Sequence, residues 1–296
     1  MTIKNLLSAQ DFSPAWPAGE ESFLEREGEV RLFTRVASPV GNARATVLLT
    51  HGFGEHSNRY GHVATAFVAR GWRVIAWDLR GHGRSSGPRG DVRDYRCFVE
   101  DLGAVWAHHH AAEHPLFFFA HSLGGQIALR FLQTTPVACE GAIIASPWLR
   151  LAFDPPRWKL VLARLALRCW PTFIQSTGHH WERLSRDSTH MSSFPDLHLV
   201  HHDISARMYF AVRAAGEAAL AAAPALRVPL LLLHGDADPV TSHHSTCEFF
   251  EHAGSADKTL RIFPGARHET HNDLDRALVL HEIADWIEAR LPPKVS

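Results

Sequence analysis

The stretch Leu116-Phe-Phe-Phe-Ala120-His121-Ser122-Leu123-Gly124-Gly125-Gln126-Ile127-Ala128-Leu129 joins an apolar run, a serine among small residues and the opening of a helical pattern. Its first five residues are apolar, as in a strand buried on both faces. Ala120 and Gly124 then stand two residues either side of Ser122. A strand that turns into a helix at a serine is a nucleophile elbow: the turn is strained, only small residues fit at those two flanking positions, and the hydroxyl projects above the sheet. The helix N-terminus adds partial positive charge where an anion would develop. Ser122 is the candidate nucleophile. A bare five-residue match is a weak signal, and the strand before it with the helix after it supplies the missing context.

On either side, further apolar runs end in turn residues. Strands are expected over 45–50, 72–77, 116–120, 142–145, 229–233 and 260–263, with an antiparallel hairpin near 21–26 and 30–36 around Glu27-Gly28. Helical patterns over 57–70, 95–109, 124–133 and 278–290 alternate with them. That order predicts an α/β fold, a mostly parallel sheet with helices on both faces. The alternation breaks between about 151 and 226, where prolines, clustered tryptophans and three helix-like pieces replace strands, the alanine-rich 211–225 among them. This stretch is expected to be a cap over the carboxyl ends of the strands, where open α/β sheets place their sites. The expected organisation is core over 1–150, cap over 151–226 and core again over 227–296.

A serine hydroxyl needs a base, and the base needs an orienting carboxylate. Downstream of Ser122, a buried strand runs into His234-Gly-Asp236-Ala-Asp238-Pro-Val, and a later one into Pro264-Gly-Ala-Arg-His268-Glu. Both loops leave carboxyl ends of strands, so Asp238 and His268 are the candidate acid and base. Asp236 competes with Asp238 but is expected to cap the turn with its own side chain. His271 competes with His268 but sits in what looks like the capping segment of the last helix. Acyl transfer also needs oxyanion donors. The backbone N–H of Leu123, next after the nucleophile, is one. The loop His51-Gly52-Phe53-Gly54-Glu55-His56 supplies the second, for which Phe53 N–H is the candidate.

Composition excludes several classes. The 296 residues carry 30 Lys+Arg against 31 Asp+Glu, a net charge of −1, which leaves no electrostatic footprint for nucleic acid. Apolar residues make up 46% of the chain, too many for disorder. Cys97, Cys139, Cys169 and Cys247 stand far apart, neither a disulfide framework nor a zinc-finger spacing, and reduced thiols are expected. No run of 18 apolar residues and no secretory-type leader is visible, so the expected location is cytoplasmic, with contact at a membrane periphery.

Together the segments 51–60 (HGFGEHSNRY), 78–87 (DLRGHGRSSG), 121–125 (HSLGG), 235–238 (GDAD) and 264–268 (PGARH) resemble the monoglyceride lipase and lysophospholipase branch of the α/β-hydrolase superfamily, grouped with the serine aminopeptidase-like hydrolases. The resemblance covers roughly 20–150 and 226–290 and only loosely the cap. It implies an α/β-hydrolase fold with an eight-stranded sheet and a helical cap inserted after the sixth strand. It also implies Ser122, Asp238 and His268 as catalytic residues, the Phe53 and Leu123 amides as oxyanion hole, and no cofactor or metal. Ala120 replaces a glycine usual in the branch, and Phe53 is bulkier than the residue common there, which would narrow the acyl entrance.

The cap decides what enters. Over 156–170, Arg157, Arg164 and Arg168 fall on one narrow helical face and most of the rest is apolar. Such a helix either packs on the core or lies at a lipid surface with its basic stripe at the headgroups. Trp148, Trp158, Trp170 and Trp181 suit a pocket for an apolar chain. The expected substrate is a long- or medium-chain monoester, a monoacylglycerol or a lysophospholipid. Alternatives are a short-chain carboxylesterase, or peptidase or haloperoxidase-like chemistry on the same triad. A zinc peptidase built on His110-Ala-Ala-Glu113-His114, metal capture by the pairs 179–180, 201–202 and 243–244, and a non-catalytic binding protein are weaker rivals.

Overall fold

A computed structural model describes residues 15–109, 114–178 and 181–292. The aliphatic and aromatic runs form the strands β1 (Glu20–Arg26), β2 (Val30–Ala37), β3 (Ala45–Thr50), β4 (Trp72–Trp77), β5 (Leu116–His121), β6 (Gly141–Ala145), β9 (Leu230–Gly235) and β10 (Lys258–Phe263). They make one eight-stranded sheet in the order β1-β2-β4-β3-β5-β6-β9-β10. The hairpin β1–β2 and the pair β2–β4 are antiparallel, and every other neighbouring pair is parallel.

Alternation along the central strand builds two cores. Phe118 and Ala120 point to the face covered by α2 (Arg96–His109), α3 (Ser122–Thr134), α7 (Ala206–Ala221) and α8 (His243–His252). Phe117 and Phe119 point to the opposite face, under α1 (Gly61–Val68) and α9 (Arg276–Glu288). β5 lies between β3 and β6, and the register pairs Thr50 with Ala120 and Ala120 with Ile144. The three strands therefore end level, and the turn at Ser122 opens at the middle of one rim. Gly124 is required there: a Cβ would lie 2.3 Å from the His51 carbonyl oxygen, so any side chain would push α3 off β3.

The expected strands all form, shifted by one to two residues at some ends. The helical pattern over 57–70 divides into a 3-10 turn, Ser57–Tyr60, and α1, which stops at Val68. α8 escaped the sequence reading because HHSTCEFFEH is mostly polar and buries only Ser245, Thr246 and Phe249; Ser242 caps it by accepting from Ser245 N–H at 3.3 Å. Between β6 and β9 the chain holds α4 (Arg157–Cys169), the short α5 (Trp181–Leu184) and α6 (Ser188–Ser192), and α7. It also holds a two-stranded antiparallel ribbon, β7 (Ile174–Ser176) with β8 (Asp203–Ser205). Three-residue strands leave no periodic signal, which is why this stretch read as strandless. α7 buries Met208 and Val212 in the core beside α3, and Val212 O accepts from Gln126 Nε2 at 3.0 Å.

Candidate active site

Ser122 opens α3 with φ of 52°, a left-handed conformation that a non-glycine residue holds only when its surroundings impose it. The imposition is local: β5 fixes the residue before and α3 the residues after, and Ser122 O accepts from Trp148 N–H at 3.0 Å. His268, in the loop after β10, places Nε2 3.0 Å from Ser122 Oγ. Its Nδ1 lies 2.7 Å from Asp238 Oδ2, in the loop after β9. All three side chains are buried. Residues separated by up to 146 positions thus meet at one rim of the sheet.

Asp238 is held by more than His268. Oδ1 accepts from the backbone N–H of Val240 at 2.7 Å and of Thr241 at 3.1 Å. Oδ2 accepts from the Thr241 hydroxyl at 2.8 Å and faces His234 Nε2 at 3.0 Å. Burial alone would raise its pKa, but the adjacent His268 and the hydrogen bonds from both histidines win and hold it well below the usual carboxylate range. His268 answers in the opposite sense. Burial disfavours its charge, the Asp238 carboxylate outweighs that, and its pKa is raised.

The loop after β3 passes against Ser122. A Cβ on Gly52 would sit 3.0 Å from Ser122 Cβ and 2.7 Å from Glu55 Oε1, so only glycine fits. Gly54 has φ of 74° and packs on the backbone of His201 from the 151–226 segment, whose N–H donates to Gly54 O at 2.9 Å. Between them Phe53 lines the cavity, edge-on to Trp148 and His201. Ala120 stands 1% exposed in the core, so its methyl is accommodated where the branch usually has glycine.

Glu55, to which the sequence motif lent no role, lies buried at the centre of this loop. Its buried carboxylate accepts from Gly52 N–H at 2.6 Å, the Tyr60 hydroxyl at 2.9 Å and Arg59 at 2.8 Å, and lies 3.0 Å from His121 Nδ1. Arg59 also forks onto both oxygens of Glu269, at 3.0 and 2.8 Å. Burial would raise the Glu55 pKa, but the His121 hydrogen bond and the Arg59 charge hold it far down. This ionic cluster clamps the loop of residue 53 to the loop of His268. Buried charges so arranged are strongly destabilising once one partner is removed.

Two rivals fall elsewhere. Asp236 Oδ1 accepts from Gly265 N–H at 2.6 Å, so it braces the neighbouring loop instead of capping its own turn. His271 does not cap the last helix, which begins at Arg276. It lies buried in the 3-10 turn Thr270–Asn272, its ring stacked 4.9 Å over Tyr60. His110–Glu113 and His179–His180 lie outside the described residues, and among the described residues no group of three or more His, Cys, Asp or Glu is placed to hold a metal ion. The four cysteines are free.

A cavity of about 520 Å³ opens over Ser122 and His268. Phe53, Trp148 and Val240 line it, as do Trp158, Leu162 and Ala163 of α4. Trp170 does not line it and is 62% exposed; the side chain of Trp181 lies outside the description. No residue of α4 is buried, so this helix does not pack into the core. Among the described residues no helix is long and apolar enough to cross a membrane.

Residues 41–275 match the family model described as serine aminopeptidase, S33. The chain is 32% identical over 268 residues to a monoacylglycerol lipase of Mycolicibacterium smegmatis, spanning 89% of this chain and 95% of that protein. It is 31% identical over 268 residues to the monoglyceride lipase of Homo sapiens, spanning 88% and 87%. The crystal structure of Paleococcus ferrophilus monoacylglycerol lipase superposes with a TM-score of 0.79 at 30% identity, over 88% of this chain and 99% of that one.

Proposed function

Because the chain belongs to the serine aminopeptidase, S33 family of α/β-hydrolases and is a serine ester hydrolase like the monoacylglycerol lipases it resembles, we propose that it cleaves long- or medium-chain monoacylglycerols with Ser122, Asp238 and His268 as its triad. The observation that carries this is the unbroken chain Ser122 Oγ, His268, Asp238, at 3.0 and 2.7 Å, at the floor of an apolar cavity. His268 takes the Ser122 proton as Oγ attacks the ester carbonyl. The Phe53 and Leu123 amides stabilise the oxyanion, worth about 3 kcal/mol per donor. His268 returns the proton to the departing alcohol, then activates the water that releases the acid.

Residues 151–226 act in this reading as the cap. Its support is that α4 lines the cavity while α7 anchors the segment on α3. A panel of glycerol monoesters of graded length tests the substrate. kcat/KM should rise about two- to fourfold per added methylene until the cavity is filled, since each buried CH₂ contributes up to about 0.8 kcal/mol. A profile that peaks at acetate or butyrate would mean a short-chain carboxylesterase, and preference for lysophospholipids would move the assignment to that class.

The exposed side of α4 docks on lipid. Trp158, Val161, Leu162 and Leu165 stand 52–61% exposed at i, i+3, i+4 and i+7, and Arg157, Arg164 and Arg168 flank that stripe. An apolar stripe edged by arginines suits an anionic interface, and among the described residues none buries it. Val161 and Leu165 do not line the cavity. The double change Val161→Glu, Leu165→Glu should therefore lower co-sedimentation with anionic phospholipid vesicles roughly tenfold, by loss of apolar insertion and added repulsion. Turnover of a soluble ester should be unchanged. Undiminished vesicle binding would remove α4 from the interface.

A further inference from the structure

His234 stands at the carboxyl end of β9, fully buried, four residues before Asp238. Its Nε2 faces two acceptors, Asp238 Oδ2 at 3.0 Å and the Thr241 carbonyl at 3.3 Å, with the Thr241 hydroxyl, which donates to Asp238 Oδ2, farther off at 3.4 Å. An atom between two such oxygens must carry the hydrogen. Burial, the largest influence, pushes its pKa below the ordinary imidazole value against the pull of Asp238, which favours the neutral ring. Nδ1 of a neutral ring protonated at Nε2 can only accept, and the buried Thr246 hydroxyl of α8 lies 2.8 Å from it. Every hydrogen-bonding position of this imidazole is therefore assigned, in the chain Thr246 O–H to His234 Nδ1, then His234 Nε2–H to Asp238.

The oxygen that receives His234 is the same one that holds His268. Oδ2 of Asp238 meets His268 Nδ1, the Thr241 hydroxyl and His234 Nε2 at 2.7, 2.8 and 3.0 Å. We propose that His234 is a positioning residue of the ester hydrolysis, which fixes the Asp238 carboxylate and tempers its basicity, and so limits the proton affinity that this carboxylate induces in His268. Each donor to Oδ2 spreads the carboxylate charge that favours imidazolium at 268. With one donor fewer, His268 binds its proton more tightly and the free base becomes scarcer. A general base works best with a pKa close to the operating pH. α8, through Thr246, thereby acquires a part in the chemistry although it contributes no group to the cavity.

The other charged or titratable groups around the pair are Glu55, Glu269 and His121 facing His268, and His243 with its ring 6.3 Å from that of His234. None of these is altered by the test. In His234→Leu the acidic limb of kcat/KM against pH, measured on a soluble ester, should move up by about half a pH unit or more, so that activity at pH 6 falls roughly threefold beyond any loss at the plateau. His234→Gln keeps a donor for Oδ2 and should restore the limb. Thr246→Val should displace it in the same direction by less. A limb that stays or moves down in His234→Leu, or a glutamine no better than leucine, would overturn the assignment. The wild-type protein provides a check that does not depend on any variant folding: imidazole ¹⁵N NMR should find residue 234 neutral with hydrogen on Nε2, and hydrogen on Nδ1 would refute it. The inference rests on Asp238 and His268 as acid and base. Full activity in Asp238→Asn would remove that foundation, whereas an inactive Asp238→Asn with an unmoved limb in His234→Leu would remove only the role of His234.

Discussion

Ser122→Ala is expected to lower kcat on a soluble ester by on the order of 10⁶-fold, as loss of a triad nucleophile does elsewhere. The reason is the geometry of the elbow. Ser122 Oγ lies 3.0 Å from His268 Nε2 above the centre of the sheet, and the turn brings it to the cavity. Alanine can occupy the same φ of 52° with no more strain than serine, and deleting a hydroxyl leaves β5, α3 and the ionic cluster of Glu55 untouched. The variant should therefore fold and bind substrate as before. Matched circular dichroism with only the residual turnover that binding and the oxyanion hole provide is the outcome expected. Turnover within tenfold of wild type would mean that another residue attacks the carbonyl.

Asp238→Asn is expected to lower kcat by on the order of 10⁴-fold and to shift what activity remains. Burial pushes the His268 pKa down, and the Asp238 charge more than reverses this, leaving it above the ordinary imidazole value. With His268 as the base, hydrolysis needs it unprotonated, so the wild-type acidic limb lies higher than an ordinary imidazole would place it. Without the carboxylate, burial prevails and the limb moves to lower pH while the plateau collapses. The two effects separate a lost charge from a lost fold. Asp236→Ala provides the contrast: it leaves only the Gly265 N–H without its 2.6 Å partner, which costs about 1 kcal/mol of stability, with kcat little changed. If Asp236→Ala were the crippling change and Asp238→Asn benign, the acid would be Asp236.

What could be read from the sequence was whatever is carried by contiguous residues. β3, β4 and β5 are mainly apolar runs ended by turn residues, and the sharp bend at Ser122 demands small neighbours that are visible as Ala120 and Gly124. The chain order serine, aspartate, histidine located two loops, since a buried strand ending in an acidic or histidine-bearing loop reaches the same rim. Pairings across long stretches left no such trace. Arg59 meets Glu269 across 210 positions, and nothing periodic links them. α8 hid behind its histidines, and with it the contact of Thr246 on His234. Over 156–170 the helical pattern was plain, but whether its apolar face met protein or solvent depends on tertiary packing, and the structure leaves α4 without a buried residue.

The decisive experiment is covalent capture by a fluorophosphonate, with the modified peptide identified by mass spectrometry. A stoichiometric adduct on the oxygen of Ser122, slowed by orders of magnitude in His268→Ala, is the expected result. An adduct on any other side chain, or a protein that hydrolyses esters yet resists the reagent, would contradict the assignment of Ser122 and His268.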